Sequence, residues 1–160
     1  MEPIPKKSRR PSAGPPAKPP ETAATFFIDR DTSGRLLAGE LRNRGYTVTL
    51  HDEIFQQGTK DPFWIRSVAE RGWLILTCDR NIARKEPERS LFGTAPTHTF
   101  ILYALTQVKR VERVGLVLAV LPKLTKLVAE GARHGIYRVY TDGRIERVVI
   151  QRTRFRLEDF

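Results

Sequence analysis

Short apolar runs separated by amphipathic stretches set the rhythm of this chain. Thr25–Ile28, Trp73–Thr77 and Thr99–Tyr103 are too short for helices and apolar enough to be buried strands of a parallel sheet, and Tyr46–Leu50 reads as a further strand. Between them the pattern changes to helical spacing. Thr32–Arg44 places Leu36, Leu37 and Leu41 on one predicted face and ends at Gly45. A second helix begins at Asp61-Pro62, carries Phe63, Trp64, Ile65, Val68 and Ala69 as its apolar set, and stops at Gly72. Gln107–Glu130 is predicted helical with a bend or break at Pro122. Ile136–Tyr140 and Ile145–Val149 flank an Asp-Gly turn and form a hairpin. Strands alternating with helices predict an α/β fold of three layers: a mostly parallel central sheet, helices on both faces, and a C-terminal β-hairpin.

Acidic residues fall at the ends of these elements. Asp29 directly follows the first strand, Asp79 follows the third, and Asp61 opens the second helix. Ligands of open α/β sheets bind beyond the carboxyl ends of the strands, so Asp29 and Asp79 point to one edge, which Asp61 can approach if its helix follows the second strand. Singly, each has a plain structural reading. Asp61 is an N-cap contributing about 1 kcal/mol. Asp79 is a turn residue bonding its own backbone. Asp29 is harder to dismiss, because a carboxylate after an apolar strand is costly without a partner. As a trio they would repel one another unless a cation sat between them, and hard oxygen donors suit Mg²⁺ or Mn²⁺. Trp64 and Trp73 read as core residues, with Trp64 near the expected cleft.

The opening FFIDRD, the helix start DPFWI and the run ERGWLILTCDRNI, in this order, resemble the PIN domain, and with LRNRGYTVTL more narrowly the PIN-like nucleases that include VapC-type toxins. The resemblance covers residues 26 to about 103 and implies that the domain continues through the hairpin near Ile150. It implies a metal-dependent nuclease acting mostly on RNA, with Asp29, Asp61 and Asp79 matching three members of an acidic cluster that holds Mg²⁺ or Mn²⁺. The segment that carries a fourth acid in larger members is abbreviated here. Glu40, Asp31, Asp52 and Glu53 are the candidates, with Glu40, beside Arg42 and Arg44, better explained as a solvated charge. Asn81 matches another commonly acidic or polar position. A toxin would also have a cognate antitoxin, which could seat an arginine between two of the carboxylates.

Composition changes this picture little but adds a direction. A net charge of +10 over 160 residues implies an anionic partner such as RNA. Arg30, Arg80, Arg84 and Lys85 beside the acids are candidates to grip substrate phosphates, while Arg89 reads as solvated. Residues 1–24 hold seven of the 11 prolines and five basic residues, composing a basic leader expected to stay disordered. Residues 25–150 would form the nuclease domain, and the charged 151–160 tail would fray. Cys78 is the only cysteine, the histidines at 51, 98 and 134 lack zinc spacing, and no glycine-rich nucleotide motif occurs. The leader lacks an apolar core and Val114–Pro122 is too short to span a bilayer, so a cytoplasmic protein with no membrane partner is expected, with a homodimer as a candidate assembly.

Overall fold

The computed structural model of the protein describes residues 24–30, 34–103, 105–150 and 155–160. Most of the leader, Asp31, the expected helix start at Thr32 or Ser33, and 151–154 of the tail lie outside the described residues. The elements run β1 (Thr25–Ile28), α1 (Gly34–Asn43), β2 (Thr47–Leu50), α2 (His51–Ile54), α3 (Asp61–Glu70), β3 (Leu74–Thr77), α4 (Glu88–Thr94), β4 (His98–Leu102), α5 (Arg110–Ala129), β5 (Gly135–Val139) and β6 (Ile145–Arg147). Single 3₁₀ turns occur at Arg80–Ala83, Leu105–Gln107 and Leu157–Asp159.

The sheet order is β2-β1-β3-β4-β5-β6. All pairings are parallel except β5 with β6, which closes the hairpin. Because β2 lies on one side of β1 and β3 on the other, the strand order reverses between β1 and β3, the topological switch point where a crevice opens. Side-chain alternation divides the core into two layers. Phe26 and Ile28 of β1, Leu74 and Leu76 of β3, and Phe100 and Leu102 of β4 face α1 and α5, meeting Leu37, Leu41, Leu121 and Leu124. Phe27, Ile75 and Ile101 face the other way, against Trp64, Ile65 and Val68 of α3 and Leu91 and Phe92 of α4. The three-layer α/β expectation, with helices on both faces and a C-terminal hairpin, therefore holds.

Several local expectations change. Asp61 is not the N-cap of α3. It is the first helical residue, Lys60 stands at the cap without a side-chain bond, and the Asp61 carboxylate instead accepts from Trp64 Nε1 at 2.9 Å. Two residues expected on apolar faces, Leu36 (47% exposed) and Phe63 (62%), face solvent, since each adjoins in sequence a residue that takes the core position. Pro122 does not break its helix. α5 runs unbroken from Arg110 to Ala129 because Val117, Val120, Leu121 and Leu124 pin it to the sheet while the proline lies on the exposed side. The missing proline N–H costs one bond, and packing on both sides of it outweighs that loss.

The segment after β3 has the sequence of a basic loop, but the structure contains a helix there. α4 is a seven-residue helix with only Leu91 and Phe92 as bulky apolar residues, too little periodicity to stand out. It packs so closely on the chain after β6 that a Cβ at Gly93 would overlap the Ile150 side chain, so glycine is required there by space. The expected fraying of the tail also fails over its described part. Leu157 is buried in the aromatic layer, and Arg66 of α3 donates to the Leu157 carbonyl at 2.8 Å.

Candidate active site

At the switch point β1 and β3 end side by side, and the chain leaves each through an aspartate. Asp29 N donates to the Leu76 carbonyl at 3.1 Å, which extends the β1–β3 pairing one residue past the strand and sets the Asp29 side chain at the sheet edge. Its carboxylate accepts from its neighbour's backbone, Arg30 N, at 2.7 Å and from Thr77 Oγ1 at 3.3 Å. Thr77 is fully buried and serves two acids at once, since its hydroxyl oxygen also accepts from Asp79 N at 3.1 Å. That hydroxyl couples the ends of the two strands. Asp79 caps the following 3₁₀ turn, accepting from Asn81 N at 2.9 Å. This is the turn role that its position alone suggested, and it holds one oxygen while leaving the other available.

Asp61 arrives from a different element. β2 leads through α2 to α3, whose first residue overhangs the same crevice, and the buried indole of Trp64 one turn later orients its carboxylate. Trp64 is the core residue the sequence suggested, stacked on Phe27 at a centroid distance of 5.3 Å. Asp61 is thus tethered to the aromatic layer itself.

One cleft is lined by Asp29, Asp61 and Asp79 together with Arg30, Asn81, Lys85 and Glu88. The structure brings together the three acids the sequence singled out and two of the four basic candidates, Arg30 and Lys85. The other two are elsewhere. The Arg80 guanidinium lies over the Tyr103 ring, 4.7 Å from its centroid, and Arg84 is exposed outside the cleft lining.

Of the candidates for a fourth acid, none among the described residues lines the cleft. Glu40 lies on α1 and does not line the cleft, and Asp31 falls outside the described residues. Asp52 and Glu53 line a neighbouring hollow with Arg30 instead. Glu53 accepts from Leu50 N at 2.7 Å and from Arg42 at 2.6 Å; the backbone bond from Leu50, helped by Arg42, holds its carboxyl below the usual range, so it is committed to capping α2. The acid that does line the cleft is Glu88, in the first turn of α4. Pro87 followed by Glu88 is a recognisable helix start, and was the one signal in sequence that could have found it.

The donors suit a hard divalent cation: carboxylate and amide oxygens line the cleft, with no sulfur or imidazole among them. Among the described residues, however, no three acidic, histidine or cysteine side chains stand close enough together to hold one ion. The cleft is a set of matching oxygens spread around an opening of about 460 Å³, with Arg30 and Lys85 as cations in its lining.

The acid-lined cleft of this mostly parallel α/β sheet lies at the switch point, beyond the strand ends, where open α/β sheets bind their ligands. The comparison with protein families is specific: residues 24–104, just over half of the 160-residue chain, match the PIN like domain, and the chain belongs to that family. PIN-like domains are in general nucleases. No curated protein and no solved structure matches the chain. Among the described residues no helix is long and apolar enough to cross a membrane.

Proposed function

We propose that the protein is a Mg²⁺- or Mn²⁺-dependent ribonuclease that hydrolyses RNA phosphodiester bonds, of the kind that serves as the toxin of a VapC-type toxin–antitoxin pair. The observation that carries this reading is the single cleft lined by Asp29, Asp61 and Asp79 at the β1–β3 switch point. Those three, with Asn81 and Glu88 as further oxygens at hand, line the cleft but would have to draw together around a cation to hold it. Such an ion supplies Lewis-acid polarisation of the phosphoryl oxygens and a more acidic attacking water.

The chain's own residues do the rest. Arg30 and Lys85 on the cleft wall bind the phosphate that an acidic cleft would otherwise repel. Thr77 and Trp64 hold Asp29 and Asp61 in place through the hydrogen bonds already described. The net charge of +10 draws a polyanion to the surface. A cognate antitoxin would insert a basic side chain among the carboxylates and so block the cleft.

A second reading, a nucleic-acid-binding module whose site has degenerated, is favoured by the spacing of the acids, among which no three converge. Calorimetric titration with Mn²⁺ separates the two: the nuclease binds the ion and cleaves labelled RNA in its presence, whereas a degenerate module does neither. For the toxin role, expressing the wild-type chain alone should slow bacterial growth and Asp61→Ala should restore it. Equal growth of the two at matched expression refutes the toxin reading and leaves the nuclease reading to the cleavage assay.

A further inference from the structure

The carboxyl edge of the sheet holds a second recess. Where β1 and β3 end in acids, β4 and β5 end in tyrosines: Tyr103 follows Leu102, and Tyr140 follows Val139. Their rings lie 5.4 Å apart, centroid to centroid, inclined at 40°. Behind them, between the strand ends and α5, is a cavity of about 150 Å³ whose apolar wall includes Leu102, Leu116, Val117 and Val120. A dry apolar cavity of about this volume accepts a single aromatic ring such as benzene.

The rim of the cavity is cationic. Arg144 lies over the Tyr140 ring at 4.3 Å, Arg80 over Tyr103 at 4.7 Å, and Lys123 lines the opening. Arg138 donates to the Tyr103 hydroxyl at 3.1 Å but is balanced by Glu146 at 3.7 Å, which also accepts from the Tyr140 hydroxyl. Asp142 commits one oxygen to Arg144 N at 2.9 Å. Among the described residues, Arg80, Arg144 and Lys123 take part in no ion pair. Each arginine is held over an aromatic face, an arrangement that leaves guanidinium N–H groups to meet phosphate.

Arg80 joins this recess to the acidic cleft. It follows Asp79 in sequence, and its guanidinium reaches the ring that walls the cavity. A polyanion seated at the acids therefore meets cations leading along the strand ends to an aromatic-walled pocket.

We propose that the cavity between Tyr103, Tyr140 and α5 binds one base of a single-stranded RNA, a pyrimidine by size, while Arg80 and Arg144 hold the adjoining phosphates. The proposal rests on the ribonuclease reading for its substrate. Stacking on the tyrosines is tolerant of sequence, the single-ring volume favours pyrimidines, and Thr141 and Lys123 at the rim offer polar groups to the base edge. The pocket thereby fixes which nucleotides flank the scissile phosphate.

The test uses the full chain in EDTA, with fluorescence anisotropy of an oligouridine of about twelve nucleotides and of an abasic ribose-phosphate chain of equal length. The wild type should bind oligouridine about tenfold or more tightly than the abasic chain. Ala119→Trp, which fills the opening from an exposed position on α5, should erase that difference. Equal wild-type affinity for the two oligomers overturns the proposal and leaves the recess to a protein partner, as does an undiminished preference in a folded Ala119→Trp variant. Because the wild-type comparison needs no substitution, failure of the variant to fold leaves the proposal falsifiable. Mn²⁺-dependent hydrolysis of bis(p-nitrophenyl) phosphate by the wild type, a diester without a base, reads the acidic cleft separately, so the two readings can fail independently.

Discussion

Along one sheet edge the strand ends β1 and β3 and the strand ends β4 and β5 solve different problems with the same backbone geometry. The first pair exits through Asp29 and Asp79, whose carboxylates are held by a buried hydroxyl, backbone N–H groups and, for the neighbouring Asp61, an indole. The second pair exits through Tyr103 and Tyr140, whose rings are held by each other and by arginines. Acids at an edge need partners reaching out from the core, because a carboxylate without them is costly beside apolar strands. Tyrosines there need company on their faces and find hydroxyl partners among surface side chains, Arg138 and Glu146, rather than in the core. The acidic half should therefore be sensitive to core changes and the aromatic half should tolerate them.

The largest expected effect tests the first half of that contrast. Trp64→Ala removes the largest fully buried side chain and the donor to Asp61, and should lower stability by about 3–5 kcal/mol in urea titration. A loss below about 1 kcal/mol would show the acidic end to be independent of the core. Next, Asp79→Asn should reduce Mn²⁺-dependent RNA cleavage by about 100-fold or more while leaving the melting temperature almost unchanged, since asparagine caps the 3₁₀ turn as well as aspartate does. Full retention of activity would remove Asp79 from the site.

Thr77→Val keeps the shape and deletes the hydroxyl shared by Asp29 and Asp79. A loss of about 1–3 kcal/mol is expected, with cleavage falling alongside it; stability equal to wild type would show that the two strand ends are not coupled through it. At the aromatic end, Tyr103→Phe leaves the ring and strands the Arg138 bond, so about 1 kcal/mol or less should be lost. A larger cost there than for Thr77→Val would reverse the contrast.

The smallest effect comes from the opposite edge of the sheet. Burial holds the His98 imidazole below its usual value of 6.5, outweighing the Ala132 carbonyl that favours the charged ring, and nearby His134 adds to the lowering. The unfolded chain therefore takes up a proton more readily than the folded one. Stability should decline as pH falls through about 6.5 toward the folded value, and below that the contribution is lost entirely. His98→Gln should flatten melting temperature against pH in this window. Persistence of the slope would assign it to other groups, and any cleavage loss that survives the substitution belongs to the acidic cleft.

Much of this edge was legible in the chain. Strand ends followed by Asp are local patterns, so Asp29, Asp79 and the helix-opening Asp61 could be read without coordinates, as could the parallel sheet from its apolar runs. Glu88 had only the Pro87-Glu88 helix start to mark it, because a seven-residue helix with one apolar pair carries almost no periodic signal. Arg80 and Arg84 follow Asp79 closely in sequence yet do not line its cleft, because a 3₁₀ turn rotates successive side chains away from one another and sends Arg80 to Tyr103.

What the sequence determined by itself was the set of elements and the residues at their ends, because apolar period, turn glycines and flanking acids act over a few residues. Which ends meet was decided only in three dimensions. The order β2-β1-β3-β4-β5 sets Asp29 beside Asp79 and Tyr103 beside Tyr140, residues 50 and 37 positions apart, through strand pairings whose partners no local pattern names. The physical reason is that pairing and face-to-face packing reward burial of whole layers, so each end group's neighbours follow from where its element finds its apolar complement.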